Sequence, residues 1–181
     1  MGRKMIFGRF ARIGAVAGAL TLAACGIPIP GSPATSQGMT VSASQAAVPN
    51  AKFKEDIAVG QVSGGEPTHM VSKVDNESFK KALEDSLAGV GYLAPAGTTP
   101  EYTLDANLQS LDQPLAGLTL DVTSKVDYTL SVGGVTKHLP ITATGTATFS
   151  DSSSFVKRLR LANEKSIQEN ITGLLQQLQS Q

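Results

Sequence analysis

A two-residue alternation of apolar and polar residues runs through the segment from residue 118 to residue 150. The even positions from Leu118 to Val132 are apolar except for one serine, and the odd positions between them are polar. After Gly133-Gly134 the phase reverses, and the odd positions from Val135 to Phe149 carry most of the apolar residues. This period is typical of strands with one buried face, and a Gly-Gly pair suits a tight hairpin turn. The segment therefore predicts a long β-hairpin.

The register of this hairpin follows from its turn. If the two glycines form the turn, the opposed apolar pairs are Val132 with Val135, Tyr128 with Leu139, Val126 with Ile141, and Leu118 with Phe149. A one-residue slip would move this apolar set to the other face, so the register is self-consistent. The other face is a ladder of threonines, which we interpret as solvated, with a partner surface as the alternative. Pro140 cannot donate to a ladder and indicates an edge strand or a bulge.

Two further strands and two helices complete the pattern. Residues 55–63 predict a strand, and residues 102–111 predict another, with a bulge near Gln109-Ser110 where the apolar phase breaks. Apolar residues at helical spacing predict helices over 75–90 and 154–178, and Gly91 is placed to end the first. We therefore expect an α+β fold of order β-α-β-β-β-α. It is a two-layer sandwich in which an antiparallel sheet of about four strands carries two helices on one face.

The first 24 residues predict a secretory signal peptide. They contain four basic residues and no acidic residue, and residues 13–24 form an uncharged run too short to span a membrane. The run ends at Leu22-Ala23-Ala24-Cys25, which resembles a bacterial lipobox and contains the only cysteine of the chain. The resemblance implies cleavage before Cys25 and a diacylglycerol and an acyl chain, such as palmitate, on that cysteine. A free thiol in an ordinary signal peptide and an uncleaved membrane helix are the alternatives.

The charge of the mature chain limits its partners. The chain has 15 basic and 15 acidic residues, and four of the basic ones lie in residues 1–24. Cleavage after residue 24 would leave 11 basic and 15 acidic residues, a net charge of −4. This balance argues against a general binder of nucleic acid or of anionic membranes. Gly26 follows the cysteine where an aspartate would signal retention at the inner membrane. The resemblance to Gram-negative lipoproteins therefore implies an outer-membrane location, facing the periplasm.

Residues 25–51 are predicted to contain the lipidated cysteine and a flexible tether. Residues 26–51 have no charge and are rich in Pro, Ser, Ala and Gly, and such a coil spans about 28 Å on average. Part of the tether, with Met39–Ser42 as the best candidate, is alternatively an extra strand. Residues 52–181 are long enough for one domain with a core of its own.

Few residues predict chemistry. The two histidines, His69 and His138, have no sequence-near nucleophile, and the chain lacks the common metal, phosphate-loop and hydrolase motifs. We therefore predict no catalytic residue, no metal and no cofactor other than the lipid on Cys25. One local basic cluster is a possible site for an anionic partner, although a solvated helix start is the simpler interpretation. Its members are Lys157, Arg158, Arg160 and Lys165.

The order of elements resembles a known group of proteins. A helix ending in LEDSLAGVGYL, the strand YTLDANLQSL, a long hairpin and a last helix containing RLANEKSIQENITGLLQQL together resemble small periplasmic lipoproteins of the YajG type and, more distantly, LptE. The resemblance covers about residues 52–178. LptE-like proteins imply a two-helix, four-stranded sandwich that plugs the outer-membrane barrel of the lipopolysaccharide exporter. No functional residue beyond Cys25 carries over.

These observations predict a non-enzymatic, membrane-anchored protein of the cell envelope. We expect its domain to bind an envelope protein, such as an outer-membrane barrel, in envelope assembly or lipopolysaccharide transport. A periplasmic carrier of lipid or glycan is the alternative, and it would need a deep apolar pocket between helices and sheet. An envelope enzyme such as an acyltransferase is the third possibility, and it would need polar side chains converging around His69 or His138.

Overall fold

The computed structural model describes residues 31–43 and 49–181. The elements in these ranges are α1 (Ser36–Met39), a 3₁₀ turn (Ala51–Phe53), β1 (Ile57–Ser63), α2 (Asn76–Gly89), β2 (Tyr102–Asp112), β3 (Leu120–Val132), β4 (Val135–Ala147) and α3 (Phe155–Gln179). The predicted α+β sandwich of four strands and two long helices is confirmed.

The sheet has the order β1-β2-β3-β4, and it is mixed, not wholly antiparallel. Strands β2, β3 and β4 are antiparallel, whereas β1 pairs with β2 in parallel. The reason lies in the connection, because helix α2 carries the chain back along the sheet before β2 begins, as parallel neighbours require. The predicted bulge in β2 is confirmed by a shift of register between Leu108 and Ser110.

The predicted hairpin forms with the predicted turn. Val132 pairs with Val135, Tyr128 with Leu139 and Val126 with Ile141. Both turn glycines have positive φ, 55° and 83°, which matches the primed turn expected of a two-residue loop. The last predicted pair is wrong, because Leu118 and Phe149 lie beyond the strand ends and are 73% and 57% exposed.

Local hydrogen bonds set the helix boundaries. The Asp75 carboxylate accepts the Ser78 N–H at 2.8 Å at the start of α2, and Ser154 caps α3 in the same way. After α2, Gly91 has φ of 74°, the left-handed conformation predicted for it. Helix α3 begins at Phe155, one residue after the predicted start, and Ser154 is its N-cap.

The core lies between the sheet and the two long helices. Tyr128 of β3 is fully buried and meets the edge of Phe79 of α2, with ring centroids 6.4 Å apart. Buried leucines and isoleucines of α2 and α3 fill the remaining space. No helix within the described residues is long and apolar enough to cross a membrane.

Part of the predicted tether is folded onto the domain. Ala34, Met39 and Val41 are almost completely buried. The Val41 N–H donates to Ser86 Oγ of α2 at 2.9 Å, and Glu164 Oε1 of α3 accepts the Thr35 N–H at 2.9 Å. This segment bridges the two helices and does not join the sheet as a strand. Its three core residues follow neither a strand nor a helix period, so the composition of the segment conceals them.

Candidate functional site

An open groove runs between the outer edge of β4 and helix α3. Its two connected parts have volumes of about 630 and 490 Å³ and share the residues Ile141, Thr142 and Gly173. The larger part is lined by the strand from Ile141 to Thr146 and by polar side chains of α3, Lys165, Gln168 and Glu169. The groove is therefore polar, elongated and open to solvent along its length.

One wall of the groove is a free strand edge. Strand β4 is 13 residues long, ends the sheet, and has a strand neighbour on one side only within the described residues. Since the two-residue turn makes Val132 and Val135 a hydrogen-bonded pair, the odd residues of β4 bond to β3. The N–H and C=O groups of the even residues, including Thr142 and Thr144, consequently point away from the sheet.

Pro140 occupies one of these outward positions. It faces Asp127 in an uninterrupted register, so the missing N–H costs the β3–β4 ladder no hydrogen bond. The prediction that Pro140 marks an edge is confirmed, and the alternative of a bulge there is not. The proline also divides the edge in two, because it offers only a C=O to any incoming strand.

Two glycines set the distance between strand and helix. A Cβ added at Gly145 would lie 2.1 Å from the backbone N of Ser166 and 2.5 Å from the carbonyl O of Ala162. A Cβ at Gly173 would lie 3.1 Å from the Ile141 Cγ2 atom. The β4 backbone is therefore pressed against the α3 backbone at Gly145, and this contact closes one end of the groove.

Buried polar side chains fasten α3 to the sheet beneath the groove. Asn170 is fully buried, and its Nδ2 donates to the carbonyl O of Ser124 at 3.3 Å and to that of Ile141 at 3.2 Å. The Ser124 hydroxyl donates in turn to the Ser166 carbonyl at 3.0 Å. Because these hydrogen bonds are directional, and those to Ser124 O and Ser166 O are buried, they fix both the height and the rotation of the helix.

The closed end of the groove carries an ion pair. Lys165 Nζ donates to the Thr146 carbonyl at 2.9 Å and to Asp151 Oδ1 at 3.1 Å. The Thr148 N–H, at 2.6 Å from Asp151 Oδ2, and then Lys165 lower the pKa of Asp151 to about 2. Lys165 thus occupies the outward carbonyl of Thr146 and leaves Thr142 and Thr144 as the accessible part of the edge.

The predicted anionic-partner cluster is not one free surface. Arg158 is buried, and its guanidinium donates to the carbonyls of Ser152, Ser153 and Gly117. Arg160 Nε lies 3.7 Å from the buried Glu164 carboxylate, and Lys165 is paired as described above. Only Lys157 remains exposed without an acidic neighbour among the described residues. We predicted one cluster because these cations are close in sequence. In the structure, three of them are already paired with carbonyls or carboxylates of the loops and of α3.

The two histidines lie far apart in the fold. His69 is exposed in the loop after β1, whereas His138 lies near the hairpin turn on the outer face of β4. The Nδ1 atom of His138 is 3.0 Å from Asp127 Oδ2 and 3.4 Å from the Thr129 hydroxyl. Within the described residues, no serine or cysteine is hydrogen-bonded to this imidazole.

The remaining sequence-predicted sites divide between two regions. Leu22, Ala23, Ala24 and Cys25 lie outside the described residues, so their role as a lipobox stays a prediction. In the described part of the chain, no group of three or more histidines and carboxylates is arranged to hold a metal ion. The sequence analysis identified the threonines of β4 but not the groove. The sequence feature that accompanies the groove is Gly145, which lies against the small residues Ala162 and Ser166 of α3.

Comparisons with known proteins identify the fold. No protein-family model and no curated protein matches the chain. Protein XCC0632 from Xanthomonas campestris, of the family DUF330, superposes with a TM-score of 0.51 at 12% identity, over 81% of this chain and 90% of that one. The structure of an uncharacterized protein superposes with a TM-score of 0.53 at 9% identity, over 70% of this chain and 94% of that one. The structure of a candidate lipoprotein from Caulobacter crescentus superposes with a TM-score of 0.48 at 13% identity, over 71% of this chain and 92% of that one. At these identities the first two similarities establish a shared fold and nothing about function.

Proposed function

We propose that this chain is a lipid-anchored protein of the bacterial cell envelope whose domain binds a partner protein by strand addition. A strand of the partner would pair with the free edge of β4 and lie in the groove beside α3. The observation that carries this proposal is the outward-pointing backbone of Thr142 and Thr144, unpaired among the described residues. The protein would act without a catalytic site, a metal or a soluble cofactor.

The anchor is proposed from the sequence. The Leu22-Ala23-Ala24-Cys25 motif follows a signal-like segment, and a diacylglycerol together with an acyl chain on Cys25 would give stable membrane attachment. Gly26 after the cysteine favours the outer membrane and its periplasmic face. The net charge of −4 after residue 24 favours neither nucleic acid nor an anionic surface as the main partner.

The chemistry of the groove favours an extended peptide. From Pro140 to Thr144 the outward edge offers three carbonyls and two N–H groups, enough to pair with about five residues of a partner strand. The threonine side chains beside this edge add small, half-polar contacts, and Gln168 and Glu169 on α3 line the opposite wall. Main-chain pairing would supply affinity, and these side chains would supply selectivity.

The same features weigh against the other two function classes. A lipid or glycan carrier needs an enclosed cavity, whereas the groove is open and polar and the space between helices and sheet is filled by buried side chains. An enzyme needs converging reactive groups, whereas His69 and His138 lie at opposite ends of the sheet. These observations support a binding module over the other two classes.

A β-rich envelope protein is the partner we propose. The periplasmic rim of an outer-membrane barrel or a periplasmic β-domain can present such a strand, and the resemblance to YajG-type and LptE-like lipoproteins points the same way. Lipopolysaccharide transport is the leading specific role in this proposal. The α+β sandwich shared with DUF330 proteins is compatible with it but does not favour one partner over another.

In-cell photocrosslinking tests the proposal. A photoreactive amino acid is placed at Thr144 on the free edge and, as a matched control, at Ala88, an exposed position of α2. The proposal predicts a discrete crosslink to one envelope protein from position 144 and none from position 88. Crosslinks at 144 only to a second copy of this chain, or equal labelling from both positions, would contradict it.

A further inference from the structure

We infer that one end of the sandwich, which we call the loop end, lies against the lipid surface. The loop end comprises the loops 64–75, 113–119 and 148–154. This inference rests on the proposed anchoring at Cys25, and it adds a defined membrane-facing surface and orientation to that function.

Topology places these three loops together. Because β1 and β2 are parallel, the C-terminal ends of both strands lie at the same end of the sheet. Strand β3 begins at that end and β4 finishes there, since β3 is antiparallel to both β2 and β4. The hairpin turn at Gly133-Gly134 lies at the opposite end, a strand length of about 43 Å away.

Exposed large apolar side chains concentrate at the loop end. Six such residues occur in the described parts of the chain, and five of them lie in these loops. They are Met70 (86% exposed), Val71 (48%), Leu115 (98%), Leu118 (73%) and Phe149 (57%). Val135, at 68%, is the sixth and lies at the hairpin end. Scattered exposed apolar residues are ordinary, but a cluster on neighbouring loops marks an interaction surface.

Hydrogen bonds hold these loops to one another. The Ser72 carbonyl accepts from Gln113 Nε2 at 2.7 Å, which ties the first loop to the second. The buried Arg158 guanidinium donates to the Gly117 carbonyl at 3.1 Å and lies 5.5 Å from the centre of the Phe149 ring, which ties the second loop to the third. The apolar side chains are therefore displayed on a connected platform.

The course of the N-terminal segment supplies the second, independent observation. Gly31 lies against the backbone of His69 and Met70, and the Ala34 N–H donates to the Lys73 carbonyl at 3.1 Å. Only residues 26–30 separate Gly31 from Cys25, and a chain of that length reaches at most about 20 Å. A lipid on Cys25 thus tethers the loop end, and not the hairpin end, close to the bilayer.

The charges of the loop end favour apolar contact over attraction to anionic lipids. Lys73 pairs with Glu66 at 3.2 Å, and Lys165 pairs with Asp151 at 3.1 Å. Lys157 and the buried Arg158 are two further cations at this end, and Asp75, which caps α2, and the exposed Asp112 are two further carboxylates. The mixture leaves no excess of either sign, so the surface suits the interfacial layer of a bilayer, where leucine and phenylalanine side chains insert shallowly.

A polarity-sensitive fluorophore tests the orientation. Because Cys25 is the only native cysteine and carries the lipid in the anchored protein, an introduced cysteine is labelled selectively. NBD is attached to Leu115→Cys and, as a matched exposed apolar control, to Val135→Cys. The anchored full-length protein is inserted into phosphatidylethanolamine–phosphatidylglycerol vesicles containing a spin-labelled phosphatidylcholine. We expect a shift to shorter emission wavelength and loss of intensity at position 115, with neither change at position 135.

The outcomes separate this inference from the proposed function. Adding Leu118→Asp to the labelled Leu115→Cys protein should abolish the quenching, whereas adding Val135→Asp should leave it intact. Equal emission from positions 115 and 135 in protein that floats with the vesicles would overturn the inference alone. Failure of the wild-type protein to float would overturn the anchor and, with it, this inference, while the crosslink at Thr144 would still report on strand addition.

Discussion

Replacing Gly145 with alanine tests the contact between β4 and α3 that shapes the groove. Gly145 does not have a positive φ, so its backbone conformation admits alanine. The new Cβ would nevertheless lie 2.1 Å from the Ser166 N and 2.5 Å from the Ala162 O. Both are helix backbone atoms that cannot rotate away, so the helix itself must move. Overpacking typically costs about 1–3 kcal/mol, and this rigid setting places Gly145→Ala near the upper value.

Gly173→Ala is the matched control on the same seam. Its Cβ would meet the Ile141 Cγ2 atom at 3.1 Å, a side-chain contact that a small rotation relieves. Alanine is also about 1 kcal/mol better than glycine in a helix interior, so the net change should lie between zero and a stabilisation of about 1 kcal/mol. The two substitutions add the same methyl group, but only Gly145→Ala should lower the free energy of unfolding.

Thermal and urea unfolding followed by circular dichroism measures the difference. At about 2–4 °C per kcal/mol for a domain of this size, Gly145→Ala should lower the melting temperature by about 6–12 °C. Gly173→Ala should leave it unchanged or raise it slightly. An unchanged melting temperature for Gly145→Ala, or an equal loss for both variants, would show that strand and helix are not in the close contact described.

Three further substitutions have defined outcomes. Thr144→Pro should preserve the free energy of unfolding but abolish the crosslink from a photoreactive residue at position 142, because the Thr144 N–H points away from β3. Ala143→Pro should lower the free energy of unfolding by about 1–3 kcal/mol in urea, because the Ala143 N–H bonds to β3. The lowered pKa of Asp151 stabilises the fold fully above its unfolded pKa of 3.8, and this contribution is lost as the pH falls toward about 2. Asp151→Asn should therefore flatten the dependence of melting temperature on pH in that window. Tyr128→Phe should be neutral or stabilising by about 1 kcal/mol, because the buried phenol has no hydrogen-bond partner in the described residues.

The β-hairpin shows how far sequence alone can predict this fold. Its turn, the inner pairs of its register and its edge proline all follow from the two-residue period, because that period directly records burial on one face. The pattern does not record where pairing stops. Leu118 and Phe149 keep the apolar phase but lie beyond the strands, where they are exposed at the loop end.

The parallel pairing of β1 and the packing of Ala34, Met39 and Val41 against the helices, where an added strand was the alternative considered, were not predicted for a different reason. Strand direction depends on how α2 returns the chain, which is a property of the whole fold and not of the seven residues of β1. Met39 and Val41 fill the space between α2 and α3, but isolated apolar residues in a Ser- and Pro-rich stretch give no period to detect.

The candidate site was the least predictable part. The threonines of β4 are visible in the sequence, but an accessible edge depends on the absence of a fifth strand beside β4 in the described sheet. The basic residues from Lys157 to Lys165 suggested an anion site because they are close in sequence. Arg158 instead organises the loops through three carbonyls, a role that only the tertiary structure discloses.

Backbone amide hydrogen exchange, read residue by residue by NMR, tests the free edge of β4 most directly. In the isolated protein, the N–H groups of Thr142 and Thr144 should exchange rapidly, while those of Ala143 and Gly145, bonded to β3, should exchange slowly. In the complex with the captured envelope partner, Thr142 and Thr144 should become protected. Protection of all four amides in the isolated protein, or continued rapid exchange at Thr142 and Thr144 in the complex, would contradict recognition by strand addition.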